Sequence, residues 1–295
     1  MDTFSIAPSG PFSLREAALF GFGHRHHDTF DGTMRLAFTL DDGHGQAGVA
    51  LTQDGDGVVH GEVTATNGTI DRDALTGQVA RVLSLDHDAT GFVAVGDRDP
   101  VIARLLTVAP GLRPPLFYNA YEAAVWAILA NRRGQRGAAV LRDRLSEIHS
   151  PVFDVAGVDM RPLPLPTMLA GTDGVRGLEP ARLARVRGVA EAALDGVLDH
   201  QRLRAAELDD ARRDLRTLDG IGPFSAELIV VRALGHTDVL ATNEPRLLAL
   251  VGELYGLGCP ATAGQLTMIG AHWAPWRTWV SVLVRAAGRR LNIDS

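Results

Sequence analysis

Two glycines one residue apart, in the segment LDGIGPFSAELIVVRALG (218–235), form a pattern that could bind an anion. Gly220 and Gly222 permit positive φ and carry no side chain that would obstruct a close approach. Pro223 suits the first turn of a helix, where its missing N–H costs little. The amides of such a turn and helix start point outward and could hold a phosphate. The same residues would also serve as a tight helix connection with glycine at the C-cap.

Glu244 is a carboxylate whose position favours the charged form. Pro245 directly after it predicts the start of a helix over PRLLALVGEL. Glu244 would then lie near a helix N-terminus, whose dipole favours an ionised carboxylate. A glutamate at this position could equally be a helix cap with no further role.

The reactive side chains that are missing restrict the chemistry. The chain has no lysine, so its 29 basic residues are all arginine and no side-chain amine can form a Schiff base. The single cysteine, Cys259, excludes an internal disulfide and an all-cysteine metal site. His24 and His26, in the run HRHH, have no acidic or cysteine partner at ligand spacing. We therefore expect surface histidines, no metal and no other cofactor.

Residues 1–111 predict a small α+β domain, an antiparallel sheet with helices. Short apolar runs alternate with glycine-rich turns there, which is typical of strands. The predicted strands are MRLAFTL, AGVALTQ, VVHGEVTAT and FVAVGD, and the predicted helices are SLREAALFGFG and DRDALTGQVARVLSL. The segment VAPGLRPPLF (108–117), with its three prolines, predicts a linker.

Residues 112–295 predict an all-α domain. Its helical patterns include YEAAVWAILAN, PARLARVRGVAEAALDG (180–196) and RAAELDDARRDLRTL (204–218). Residues 1–111 hold 7 arginines and 15 acidic residues (net −8), whereas 112–295 hold 22 and 20 (net +2). A polyanion would therefore meet the second part. No apolar run approaches the roughly 18 residues of a membrane span and no leader is recognisable. We expect a cytoplasmic protein that does not enter membranes.

The segment LDGIGPFSAELI resembles the helix-hairpin-helix of the DNA glycosylase superfamily. Four other segments resemble parts of that superfamily in the same order along the chain. They are YEAAVWAILANRRGQRGAAVLRDRL, PLPTMLAG, HTDVLATNEPRLLAL and WAPWRTWVSVLVRAAG. The N-terminal part, which ends in APGLRP, is similar to the added domain of the bacterial 3-methyladenine DNA glycosylase II family. The similarity covers nearly the whole chain.

The resemblance implies an enzyme that flips a damaged nucleotide out of the duplex and hydrolyses its N-glycosidic bond. A carboxylate beside C1′ would stabilise the positive sugar and help orient water. The alignment puts Glu244 at this catalytic position, where the family has an aspartate. Asp238, which matches the first residue of the same loop, is the second candidate.

The resemblance also implies two surfaces for DNA and a base pocket. In the strand-separating loop, Asn131 and Arg132 replace the family's glutamine and apolar wedge. The residues predicted to contact DNA are Gly220, Ile221, Gly222, Ser225, Ala226, Asn131, Arg132 and Arg133. The predicted base pocket comprises Phe224, Leu228, Trp126 and Arg285. Phe224 keeps an aromatic surface for a cationic base, whereas Arg285, at a position where an aromatic residue is expected, would repel one.

We expect a monofunctional DNA N-glycosylase that removes alkylated or otherwise damaged purines from double-stranded DNA, as a monomer at the nucleoid. Two other interpretations stay open. The chain could be a catalytically silent relative that recognises damage without excising the base. It could also be a structural DNA-binding module that keeps the hairpin alone. Base release from damaged duplexes would separate these interpretations.

Overall fold

A computed structural model of the chain describes residues 2–21 and 29–291, apart from the side chain of residue 289. The predicted surface histidines His24 and His26 lie outside the described residues. The described chain is a mixture of helices and a small antiparallel sheet, as the sequence predicts.

The first elements of the chain are β1 (Asp2–Ile6), α1 (Leu14–Phe20), β2 (Met34–Thr39), β3 (Gly45–Gln53), β4 (Val59–Gly68) and α2 (Arg72–Val82). The four strands form an antiparallel sheet in the spatial order β1-β4-β3-β2. Helix α1 lies between β1 and β2 in the chain, and α2 follows β4. Three of the four predicted strands are confirmed. The fourth, FVAVGD, is wrong, because it forms turns and the short helix α3 (Val95–Arg98). Its buried residues Phe92 and Val95 are spaced i, i+3, which suits a helical turn.

The remaining helices extend to the end of the described chain. They are α4 (Pro100–Val108), α5 (Ala120–Ala130), α6 (Gln135–His149), α7 (Pro166–Ala170), α8 (Pro180–Leu194), α9 (His200–Ala205), α10 (Leu208–Leu215), α11 (Pro223–Arg232), α12 (Pro245–Leu254), α13 (Ala263–Gly270) and α14 (Arg277–Leu291). The helix expected over 204–218 is divided, because Ala206 is extended with ψ 154° between α9 and α10.

Residues 112–295 are not all helical, which corrects the prediction for the second part. A hairpin of two short strands, β5 (Phe153–Val155) and β6 (Val158–Met160), lies between α6 and α7. Its turn residues Ala156 and Gly157 both have positive φ, 48° and 78°, as a tight two-residue hairpin requires. Phe153 and Val155 are buried against Ala37 and Ala50 of the sheet, so the hairpin covers an apolar face that would otherwise meet water.

Besides the small cluster beneath this hairpin, three larger apolar cores hold the described elements together. One joins the sheet to α1 and α2, and a second lies among α5, α6, α8, α10 and α11. The third packs residues 89–112 against α12, α13 and α14. The boundary between 111 and 112 stays a prediction, and this third core includes residues from both sides of it. The predicted linker is instead a buried segment, in which Leu112, Arg113 and Leu116 are almost inaccessible.

Arg113 is fully buried and binds five backbone carbonyls. Its guanidinium donates to Ser9 and Gly10 through Nη2 (2.5 and 2.9 Å), to Pro11 through Nε (2.9 Å), and to Ser84 and His87 through Nη1 (3.1 and 3.3 Å). It also lies 5.7 Å from the ring centroid of Trp279. Burial lowers the pKa of Arg113 to about 10, so the group stays charged at neutral pH.

Arg113→Met should lower the free energy of unfolding by about 3 kcal/mol or more, because several buried carbonyls lose their only charged donor. Urea denaturation followed by circular dichroism measures the loss. Arg98→Met is the matched control, since this exposed arginine donates to a single carbonyl, that of Ala274 at 2.9 Å. Equal losses in the two variants would contradict the assigned role of Arg113.

His200 is a buried histidine at the start of α9. It lines a cavity of about 420 Å³ together with Arg81 and Arg204, and its Nδ1 has no hydrogen-bond partner among the described residues. Burial, reinforced by the positive charges of Arg81 and Arg204, lowers the pKa of His200 to about 3. The folded protein therefore keeps this imidazole neutral at pH values where an unfolded chain would protonate it.

His200 should make the fold less stable in mild acid. Below the ordinary histidine pKa of 6.5 only the unfolded state takes up this proton, so the free energy of unfolding falls as pH drops towards 3. The contribution is at most about 1.4 kcal/mol per pH unit. His200→Gln should lose this part of the slope in denaturation series between about pH 7 and pH 4. His272→Gln, at an exposed histidine, should keep the wild-type slope; a variant at 200 with the full slope would refute the assignment.

Candidate nucleic-acid interface and active site

The glycine pair forms a tight turn between α10 and α11. Gly220 has φ +88°, and the Ile221 amide donates to the Leu218 carbonyl at 3.0 Å, which closes the turn. Gly222 is the N-cap of α11, with no side chain capping the helix start. No atom outside its immediate neighbours lies within 4 Å of a Cβ placed on Gly222. The first amides of α11 are therefore open to a ligand, as helix geometry leaves them without internal acceptors.

Two of the predicted DNA-contact residues at this turn face the protein interior. Ile221 and Ala226 are buried at 5% and 0% exposure. The Ala226 amide donates to the Gly222 carbonyl at 2.9 Å, so it is already engaged. Gly220, Gly222 and the half-buried Ser225 are left as the hairpin positions that can meet an anion.

Asn131, Arg132 and Arg133 are exposed in the loop that follows α5. Arg132 adopts a left-handed conformation with φ 57°, which turns the chain sharply there. Arg182 of α8 fixes the loop, because its Nη1 donates to the carbonyls of Ile128, Leu129 and Asn131 at 3.0 to 3.1 Å. These are carbonyls at the C-terminal end of α5, where a cation is favoured.

The loop and the hairpin lie side by side. A Cβ placed on Gly220 would be 3.5 Å from Cγ1 of Ile128 in the last turn of α5 and 3.0 Å from Cδ of Arg185. Arg185 also pairs with Asp219 of the hairpin, Nε to Oδ2 at 3.1 Å. Arg182 and Arg185, both on α8, thus contact the loop after α5 and the hairpin, respectively. Sequence reasoning missed them, although their i, i+3 spacing on α8 was a visible signal.

Glu244 and Arg285, predicted for different roles, meet as an ion pair. Glu244 caps α12: its carboxylate accepts from the Arg246 amide at 3.2 Å and from the Leu247 amide at 2.7 Å. Nη1 of Arg285, on α14, lies 3.1 Å from Oε2 of Glu244. The Glu244 side chain is 19% exposed and the Arg285 side chain is 33% exposed, so solvent reaches the pair.

Asp238, the second catalytic candidate, is held by the first residue of α14. The Arg277 side chain donates to both carboxylate oxygens at 2.7 Å, and its amide donates to Oδ1 at 3.2 Å. Burial alone would raise the pKa of Asp238, but the hydrogen bonds from Arg277 outweigh it and the pKa is lowered. Arg277 and Arg285 are about 12 Å apart along α14, so this helix contacts both candidate carboxylates.

The base pocket predicted from Phe224, Leu228, Trp126 and Arg285 stays a prediction. Trp126 is 6% exposed and belongs to the core around α5, and Leu228 packs against the same core. Phe224 is 61% exposed at the hairpin. Arg285 pairs with Glu244.

The described residues contain no group of three or more histidine, cysteine, aspartate or glutamate side chains that could hold a metal ion. In the same part of the chain, every helix is too short or too polar to cross a membrane.

Comparisons with known proteins agree on one fold. No family model matches the chain. The chain is 31% identical over 210 residues to the probable bifunctional transcriptional activator/DNA repair enzyme AlkA of Mycobacterium tuberculosis. The matched residues make up 70% of this chain and 41% of that protein. The chain therefore spans about two fifths of that relative's length. A 3-methyladenine DNA glycosylase from Archaeoglobus fulgidus superposes with a TM-score of 0.78 at 18% identity, covering 98% of this chain and 99% of its own.

A second solved structure, the Clostridium acetobutylicum 8-oxoguanine glycosylase/lyase in complex with double-stranded DNA, has a TM-score of 0.70 at 14% identity. That match covers 95% of this chain and 93% of the other. The chain belongs to the helix-hairpin-helix DNA glycosylase superfamily. In this chain, the loop that follows the hairpin carries a glutamate, Glu244, which pairs with Arg285.

Proposed function

We propose that the protein is a monofunctional DNA N-glycosylase that excises damaged purines from double-stranded DNA. The observation that supports this most directly is the carboxylate of Glu244. It is fixed at the N-terminus of α12, still reached by solvent, in the loop that follows the helix-hairpin-helix. The two amides hold this carboxylate in one position at the helix N-terminus, so it is positioned in advance to stabilise positive charge.

In the proposed reaction, the open amides at Gly222 and Ser225 hold a DNA phosphate, and Arg132 occupies the space that the flipped nucleotide leaves. Glu244 stabilises positive charge at C1′ while the bond to the base breaks and water attacks the sugar. Asp238 is less suited to this role, because the Arg277 guanidinium hydrogen-bonds both of its oxygens, whereas the hydrogen bonds to Glu244 come from two uncharged amides.

A second candidate function is damaged-DNA binding without excision. It is favoured by the engagement of Glu244, whose carboxylate accepts two amides and also contacts Arg285. A carboxylate so occupied stabilises a sugar cation less than a free one would. The two candidates differ in whether any base is released.

Gly222→Asp should weaken the binding of duplex DNA by at least about tenfold, because it puts a negative charge where the phosphate would lie. The fold should survive, since space around Gly222 is open. Gly264→Asp is the matched control: this exposed glycine is in the first turn of α13 and also has open space. Fluorescence anisotropy with a labelled duplex measures the affinities. A folded Gly222→Asp protein with wild-type affinity would remove the hairpin from the interface.

Glu244→Gln should slow base release by about 10²- to 10³-fold while damaged-DNA binding persists, because glutamine keeps a capping oxygen but loses the charge. Single-turnover assays on duplexes with a damaged purine measure the rate. Asp238→Asn is compared in the same assay. If that change abolishes release and Glu244→Gln does not, Asp238 is the catalyst. If wild type releases no base from 3-methyladenine, 7-methylguanine, hypoxanthine or bulky-adduct duplexes, the binding function replaces the enzymatic one.

Base excision should occur without strand cleavage, because an imine with the sugar needs an amine and the chain has no lysine to supply one from a side chain. Product DNA should therefore be intact until treated with alkali. Borohydride added during turnover should trap no covalent protein–DNA complex on a denaturing gel. A trapped complex would show lyase activity and contradict the monofunctional assignment.

A further inference from the structure

We infer that Arg285 selects the substrate class, favouring uncharged damaged purines with hydrogen-bond acceptors over cationic alkylated purines. This inference rests on the proposed glycosylase function and assigns a specificity-determining role at the same site.

The N–H groups of Arg285 are available to a ligand. Its Nη1 lies 3.1 Å from Oε2 of Glu244, yet none of its N–H groups makes a hydrogen bond to another described residue. Arg277 on the same helix is different, since it makes three hydrogen bonds to Asp238. The side chain of Arg285 is 33% exposed, so a bound molecule could reach its donors. A guanidinium with free donors beside a candidate catalytic carboxylate is suited to acceptor atoms of a base.

The local charges do not favour a cationic base. Glu244 and Arg285 form one balanced pair, and Asp238 and Arg277 form another. A flipped cationic purine would therefore meet a guanidinium without a surplus of negative charge to offset it. Repulsion between two positive charges at contact distance is substantial in a site partly screened from water.

The chemistry of bond cleavage gives the guanidinium a role with uncharged bases. When the C1′–N9 bond breaks, its electron pair remains on N9 of the departing purine. A cationic alkylated purine thereby becomes neutral and leaves without help, whereas an uncharged purine becomes an anion. Donors of Arg285 can stabilise that negative charge at the ring acceptors, while Glu244 stabilises the sugar cation. Water then adds to C1′, and the proton it releases neutralises the departed base.

A purely structural role for Arg285 predicts a different effect of its loss on the excision rates. Glu244 is held by the amides of Arg246 and Leu247 whether or not Arg285 is present. If Arg285 only supported the position of Glu244, its loss would reduce excision of every base by the same factor. The ratio of rates between an uncharged and a cationic base separates the two roles.

The test measures single-turnover release of hypoxanthine (uncharged) and 7-methylguanine (cationic) from matched duplexes. Arg285→Gln should slow hypoxanthine release by about tenfold or more and leave 7-methylguanine release equal or faster. Arg246→Gln is the control, because it removes a nearby exposed positive charge whose side chain does not pair with Glu244. It should leave the ratio of the two rates unchanged. Circular dichroism verifies folding, and Arg285→Lys, which keeps the charge, should restore part of the hypoxanthine rate.

Equal slowing of both bases by Arg285→Gln, or an unchanged ratio, overturns this inference and leaves the glycosylase function in place. A ratio that Arg246→Gln shifts as much as Arg285→Gln also overturns it, since general electrostatics would then explain the effect. Release of neither base by the wild-type protein, and of none of the other lesions named above, overturns both the inference and the proposed function.

Discussion

The guanidinium of Arg113 is the interaction on which the arrangement of the molecule most depends. It has no exposed surface and binds carbonyls of the N-terminal segment 9–11 and of the turn that follows α2. It also lies over Trp279, which sits between Arg277 and Arg285 on α14. A buried charge must be fully satisfied to be tolerated, so these segments cannot move apart without a large cost. The helix that contacts both candidate carboxylates thereby packs against the guanidinium that joins these two segments.

A second buried group, Asp99, also joins segments that are far apart in the sequence. Asp99 caps α4 through the amides of Val101 and Ile102, and its Oδ2 accepts from the Trp273 indole at 3.0 Å and from the Tyr255 hydroxyl. Burial and Asp99 together raise the pKa of Tyr255 far above its ordinary value, so the hydroxyl stays a donor. The chain before the predicted boundary at 111 therefore supports α12 and α14. The hairpin and its neighbouring loop are instead held by Arg182 and Arg185 of α8. The candidate DNA-binding surface and the candidate active site thus have separate supports.

The features that the sequence predicted correctly are local ones. Glycine spacing with Pro223 indicated the turn between α10 and α11, and Pro245 indicated the helix that Glu244 caps, because such signals act over a few residues. What sequence reasoning missed depends on contacts between distant segments. The apolar run FVAVGD forms turns and a short helix because the core with α14 buries Phe92 and Val95, and the ion pair of Glu244 with Arg285 exists only once α12 and α14 pack together. The sequence alone does not indicate that a carboxylate and a guanidinium far apart along the chain will form an ion pair.

The use of arginine throughout explains why net charge describes this protein poorly. Arg113, Arg182 and Arg232 all donate to backbone carbonyls, and the planar guanidinium offers five N–H donors for this where an ammonium offers three. These arginines count towards the net charge of +2 of residues 112–295, but some of them are buried, so part of that charge lies inside the fold. At the proposed interface, the groups that a polyanion would meet include the exposed Arg132 and Arg133 of the loop and the open amides of the hairpin. A fold with modest overall charge can therefore present a favourable surface to phosphates, because screening in salt confines the relevant interactions to about 10 Å.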